Sequence, residues 1–176
     1  MIRRRFLVSS FRHVFAGAIV LAVGPAFAQE SDAVAPCSHE NSHQFDFWIG
    51  EWNVYAGEKL VGENSIQPIL DGCVLQETWA GKGGSAGSSF NFFNPQTEKW
   101  QQFWVWRNGT TLELEGGYAD GKMTLAGVSA GQDGAEVEQR ITWYDNEDGT
   151  VRQHWESRSG DAEWQTAFDG LYRRKE

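Results

Sequence analysis

The sequence predicts an all-β fold, a single antiparallel up-and-down β-barrel of about ten strands, and three observations carry that prediction. Nine tryptophans occur in 176 residues, and most fall at alternate positions of short runs, as with Trp104 and Trp106. A period of two sends successive side chains to opposite faces of a strand, so these rings gather on one face of a sheet. The runs are separated by turn formers: Asp71-Gly72, Asn94-Pro95, Asn108-Gly109, Asp120-Gly121 and Asp148-Gly149. Asx-Gly pairs suit the tight turns of antiparallel neighbours, and connections this short leave no room for crossover helices. A sheet with one indole-lined face must also fold over to keep that face dry, and closure removes its exposed edges. A two-sheet sandwich is the alternative arrangement.

The elements follow in order. Residues 1–28 read as a cleaved signal peptide: Arg3, Arg4 and Arg5 form a basic start, Val14 to Val23 an apolar stretch, and Ala26-Phe27-Ala28 a small-x-small cleavage site. The apolar stretch is shorter than the ~20 residues of a spanning helix, so no membrane insertion is expected after cleavage. The run from Arg3 to Leu7 also fits a twin-arginine signal, and either export route leads to the periplasm or beyond. Residues 29–44 are polar and read as a flexible leader. The segment from Phe45 to Gly50 is too short for a stable helix but long enough for one turn plugging a barrel end. Ten strands are then expected near 51–57, 60–68, 73–80, 88–93, 100–107, 111–119, 122–129, 136–144, 150–157 and 164–173, making one barrel domain over 45–176.

Charge and cysteine content narrow the class. The leader peptide holds four arginines and no acids, so its removal takes the net charge from −9 to −13. A surface that acidic repels phosphate backbones, which excludes nucleic acid as a partner. Cys37 and Cys73 are an even pair in an oxidising compartment and read as a disulfide that ties the leader to the barrel. Two unpaired thiols are the alternative, and no Cys-x-x-Cys spacing points to redox chemistry.

The stretch from His43 to Trp52, HQFDFWIGEW, resembles the opening of an uncharacterised family of secreted bacterial calycin-like domains. The stretches from Ile69 to Trp79, Phe90 to Pro95 and Phe168 to Tyr172 fit the same pattern, so the resemblance spans the mature chain. Trp48, Gly50 and Trp52 are also similar to the first motif of lipocalins and of the heme-binding nitrobindins. The resemblance implies a lipocalin-like barrel whose first turn and strand close the base, and it implies no established activity.

Parity separates lumen from wall. One alternating set holds Leu75, Glu77 and Trp79; Trp100, Gln102, Trp104 and Trp106; Leu112 and Leu114; Ile141 and Trp143; Val151, Gln153 and Trp155; and Trp164, Thr166 and Phe168. The opposite set, including Glu113, Glu115, Arg140, Arg152, His154, Glu156 and Asp169, reads as a solvated wall. The faces of Phe90 to Phe93 are ambiguous, and Phe103 and Val105 point away from Trp104.

The expected site is therefore an apolar lumen with a few polar groups, the usual form of a small-ligand pocket. Its candidate ligand-binding residues are Glu77, Trp79, Gln102, Trp104, Trp106, Trp143, Gln153 and Trp155. Thr166 is a fourth polar exception on the interior face. A buried carboxyl among indoles should have a raised pKa, which would suit a neutral donor or a general acid. The structural alternatives are that Glu77 sits at the mouth or pairs with an arginine such as Arg107 or Arg173, and that the rings simply fill the barrel. No cofactor and no metal are expected: His154 falls on the wet wall, where it could not ligate a heme in the lumen, and His39 and His43 lie in the leader. The glycine-rich run from Gly81 to Gly87 lacks a phosphate-loop ending, and no nucleophile elbow is present. The first expectation is a periplasmic or secreted barrel that binds a small hydrophobic or aromatic ligand. The alternatives are a catalytic barrel using Glu77, and a filled-barrel interaction module with Phe103 and Val105 at a subunit contact.

Overall fold

The computed structural model describes residues 37–131 and 134–176. The signal peptide expected over 1–28, and the leader up to residue 36, lie outside the described residues. Ten strands follow one another: β1 (Gly50–Ala56), β2 (Lys59–Ile69), β3 (Val74–Gly81), β4 (Ala86–Asn94), β5 (Lys99–Trp106), β6 (Thr111–Ala119), β7 (Lys122–Ala130), β8 (Glu136–Asp145), β9 (Val151–Arg158) and β10 (Gln165–Arg174). Each pairs antiparallel with its neighbour in sequence, and β1 pairs with β10 through Trp52–Arg174 and Val54–Tyr172 to close the barrel. The β6–β7 connection, like β1–β2, is two residues long: Asp120 and Gly121 both take positive φ (51° and 73°), the twist that such a hairpin loop needs.

Two 3-10 turns, Glu40–His43 and Asp46–Trp48, precede β1 and plug one end. Phe45 and Trp48 are fully buried there, stacked at 4.9 Å, with Trp143 5.2 Å from Phe45 and Trp100 5.6 Å from it. Trp52 donates from Nε1 to the Trp48 carbonyl at 2.9 Å. Arg174 lies over the Trp52 ring at 4.3 Å and donates to the Ile49 carbonyl at 3.0 Å, sealing the outside of the plug. The leader from residue 37 is not loose. His39 packs 4.6 Å from the Phe93 ring, Trp100 Nε1 donates to Gln44 Oε1 at 3.3 Å, and the Cys37–Cys73 disulfide ties the segment to the start of β3. A cross-link spanning 36 positions removes about 4 kcal/mol of chain entropy from the unfolded state.

The outer wall faces water. Ion pairs run along it, among them Arg140–Glu156, Arg152–Asp169 and Arg158–Glu138, where a lipid-facing barrel would carry an apolar band. His154 belongs to this wall, with Nε2 3.1 Å from Thr166 Oγ1. Trp164 and Thr166, expected on the interior face, are outside as well. A bulge between Thr166 and Phe168 shifts the register of β10 by one residue, and one residue of slip exchanges the two faces. Thr166 is exposed, and the Trp164 ring is held under Arg140 at 4.3 Å and Arg158 at 4.7 Å. Phe90 and Phe103 are cross-strand partners on the outer face, 43% and 38% exposed.

Candidate functional site

The interior is built in three levels, and the inward residues of single strands step through them. On β3 the order from the base is Leu75, Glu77, Trp79; on β5 it is Trp100, Gln102, Trp104, Trp106; on β9 it is Val151, Gln153, Trp155. The lowest level is closed: Trp48, Trp52, Trp100 and Trp143 are all at most 1% exposed. The upper level is not. Trp79, Trp104, Trp106 and Trp155 are only partly buried, and together with Phe168 they surround a cavity of about 330 Å³ that opens at the end opposite the plug.

The cavity exists because the neighbouring strands supply glycine where the indoles lean. A Cβ at Gly62 would stand 2.3–2.8 Å from three atoms of the Trp79 benzo ring, and one at Gly87 would stand 2.4 Å from Trp104 Cζ2. The rings therefore lie back against bare backbone and leave the axis free. Trp79 is fixed there by donation from Nε1 to Ser85 Oγ at 3.1 Å. Phe168 is pressed in the same way against Gly170, whose Cβ would come within 2.5 Å of the ring. Trp104 and Trp106 meet edge to face at 5.6 Å, and Trp106 lies 6.1 Å from Trp155.

Between these levels runs a belt of polar side chains drawn from β2, β3, β4, β5, β9 and β10. Glu77, 4% exposed, accepts from Asn64 Nδ2 at 2.7 Å on one oxygen and from Ser89 Oγ at 2.6 Å on the other. Asn91 donates to Ser89 Oγ at 2.8 Å and to the Leu75 carbonyl at 3.1 Å, and accepts from Gln102 Nε2 at 2.7 Å. On the other side Asn64 Nδ2 also reaches the Tyr172 hydroxyl at 3.4 Å, and that hydroxyl donates to Gln153 Oε1. A separate chain at the rim runs from Trp155 Nε1 to Gln139 Oε1 at 2.6 Å and from Gln139 Nε2 to Ser129 Oγ at 3.0 Å. Glu77, Gln102, Gln153 and Tyr172 face the cavity and form its floor.

Electrostatics follow from burial. Removal from water pushes the Glu77 carboxyl up to about 7, against the downward pull of the Ser89 and Asn64 hydrogen bonds. Burial, followed by the nearby Glu77 charge, raises the Tyr172 phenol well above its ordinary value, so it stays protonated. Its proton is committed to Gln153, which leaves Glu77 without a second proton-transfer partner at the cavity floor. The floor thus suits recognition more than acid–base chemistry. Unspent hydrogen-bonding capacity remains: Trp104 Nε1 and Asn64 Oδ1 are buried without a partner.

Seven of the eight residues proposed from sequence surround this one cavity: Glu77, Trp79, Gln102, Trp104, Trp106, Gln153 and Trp155. Trp143 does not; it is fully buried in the base against Phe45 and Trp48, below the polar belt. Neither arginine offered as a partner for Glu77 reaches it. Arg107 donates to the Gly84 carbonyl at 2.8 Å, and Arg173 lies over the Tyr55 ring at 4.8 Å. Glu77 is not at the mouth either. The sequence reading missed Asn64, Ser89, Asn91 and Tyr172 in the belt, and Gly62 and Gly87 behind the indoles. Asn64, Gly62, Ser89 and Gly87 sit two residues apart on β2 and β4, so an interior parity of small and amide residues was the available signal.

The sequence matches no protein-family model and no curated protein.

Proposed function

We propose that the protein is a periplasmic or secreted carrier or receptor that holds a small hydrophobic or aromatic molecule in the upper half of its barrel. The observation that carries this reading is the cavity itself: two of its four indoles, Trp79 and Trp104, lie back on glycine backbone, and about 330 Å³ is left open above a polar floor, within the size range of small-ligand sites. A barrel whose rings served only as core would close that space, as its own lower half does. The Cys37–Cys73 disulfide is in keeping with an oxidising compartment. The resemblance of the first turn and strand to calycin-like domains agrees with a ligand-holding barrel.

Titrating the purified mature protein with a panel of neutral aromatic and alkyl compounds, while following tryptophan emission, tests the reading. Saturable quenching or a spectral shift is expected, and Trp106→Ala should abolish it. A flat response across the panel, with no small molecule co-purifying from the periplasm in native mass spectrometry, would refute it.

A further inference from the structure

The cavity floor has a charge without a counter-charge. Among the described residues, no lysine or arginine lines the cavity, although Glu77 is 4% exposed and faces it. Buried carboxylates are ordinarily matched by a cation, because an unpaired one bears an uncompensated desolvation cost.

The groups packed on Glu77 nevertheless favour its ionised form. Asn64 on β2 and Ser89 on β4 each donate to a different carboxyl oxygen, so both oxygens act as acceptors. Hydrogen bonds donated to both oxygens suit a carboxylate.

Other charges are directed elsewhere. Among the described residues, Tyr172 on β10 is the other titratable side chain on the cavity floor, and it is neutral. Across the wall, Glu63 on the outer face of β2 is taken up by Lys82 at 2.8 Å and by Lys175 at 2.6 Å. The nearest outward residues of β3 itself, Gln76 and Thr78, carry no charge. Arg107 at the rim is turned to the Gly84 carbonyl.

Above the carboxyl stand Trp79, Trp104, Trp106 and Trp155, and indole faces attract organic cations, most strongly when the pair is desolvated. An aromatic enclosure over an unmatched carboxylate recognises positive charge attached to an apolar body. The acidic chain as a whole, at −9, raises the local concentration of such molecules.

We infer that the cavity is a receptor site for a small organic cation, a substituted ammonium whose charge faces Glu77 and whose apolar body lies among Trp79, Trp104, Trp106 and Trp155. This inference rests on the ligand-binding reading above and names the chemistry of its ligand.

Three probes of matched shape test it at constant ionic strength, with tryptophan emission as the readout: phenyltrimethylammonium, its uncharged isostere tert-butylbenzene, and the anion benzenesulfonate. The cation should bind at least about tenfold more tightly than the isostere. Its affinity should rise with pH, by up to about tenfold per unit, until Glu77 is ionised at about 7, and then level off. Glu77→Gln should remove both the preference for the cation and the pH dependence. Equal or tighter binding of the isostere or the anion overturns the cationic assignment and leaves the hydrophobic-ligand function standing. No response to any of the three, nor to the neutral panel, overturns both. If Glu77→Gln does not fold by circular dichroism, the pH series on the unaltered protein decides, and a flat affinity for the cation refutes the proposal.

Discussion

Glu77→Gln, measured without any ligand, should flatten one segment of the pH–stability profile. The carboxyl is pushed from its ordinary 4.5 to about 7 by burial in the folded state. An acid whose pKa rises on folding binds its proton more tightly when folded, so protonation favours the fold. Its contribution is most favourable below about pH 4.5, weakens as pH rises through the interval, and reaches its full penalty above about 7. The gap of about 2.5 units, at ~1.4 kcal/mol each, makes Glu77 cost about 3 kcal/mol at the alkaline end relative to the acid end. Glutamine keeps the shape and cannot ionise. Asn64, whose Oδ1 has no partner, can turn its amide to accept from the new NH₂ group. Carboxyls with lowered pKa, such as Glu63 at about 2 and Asp169, lose their stabilising effect at pH below this interval and cancel in the comparison. Urea unfolding of both proteins, followed by tryptophan emission at half-unit steps across the interval, gives the difference directly. The variant should gain on the parent by about 3 kcal/mol from one end to the other. A constant difference, or a parent that gains stability relative to the variant as pH rises, would refute the assignment of Glu77 as a buried, unmatched acid.

Other consequences are simpler to measure. Gly62→Ala places a methyl group 2.3 Å from Trp79 Cη2, so the indole must swing toward the axis. Stability should fall by roughly 1–3 kcal/mol in chemical denaturation, and the Trp106-dependent ligand response should disappear. Trp143→Ala, emptying the closed base, should cost roughly 3–5 kcal/mol, whereas Trp106→Ala at the open end should cost less than half of that while removing ligand binding. Reducing Cys37–Cys73 should lower stability by about 4 kcal/mol in urea melts at matched pH, leaving a strand-rich far-ultraviolet spectrum under native conditions.

Strand number, order and turn positions were legible because a period of two, broken by Asx-Gly pairs, is a local signal. Facing was legible for β3, β5 and β9, where large rings alternate with polar residues. It failed at Trp164 and Thr166 because the bulge in β10 is a one-residue change of pairing that no residue type there announces. Height along the barrel was not legible at all. Parity says that Trp143 and Trp155 share the interior, but Trp143 is opposite Gln153 and Trp155 opposite Ile141, so stagger between strands puts one indole in the base and the other at the rim. The belt was half visible for a related reason. Glu77, Gln102 and Gln153 stand out against tryptophan and leucine on their own strands, whereas Ser89 and Asn91 share β4 with Phe90, Phe92 and Phe93, which fall on both faces, and Asn64 lies between Gly62 and Ile66 on β2.

The plugged base turns the barrel into a cup with one doorway. A ligand of the proposed kind would have to back out past Trp106 and Trp155 before a replacement went in. Exchange between two such ligands would then proceed at the rate of departure alone, however much of the newcomer is present.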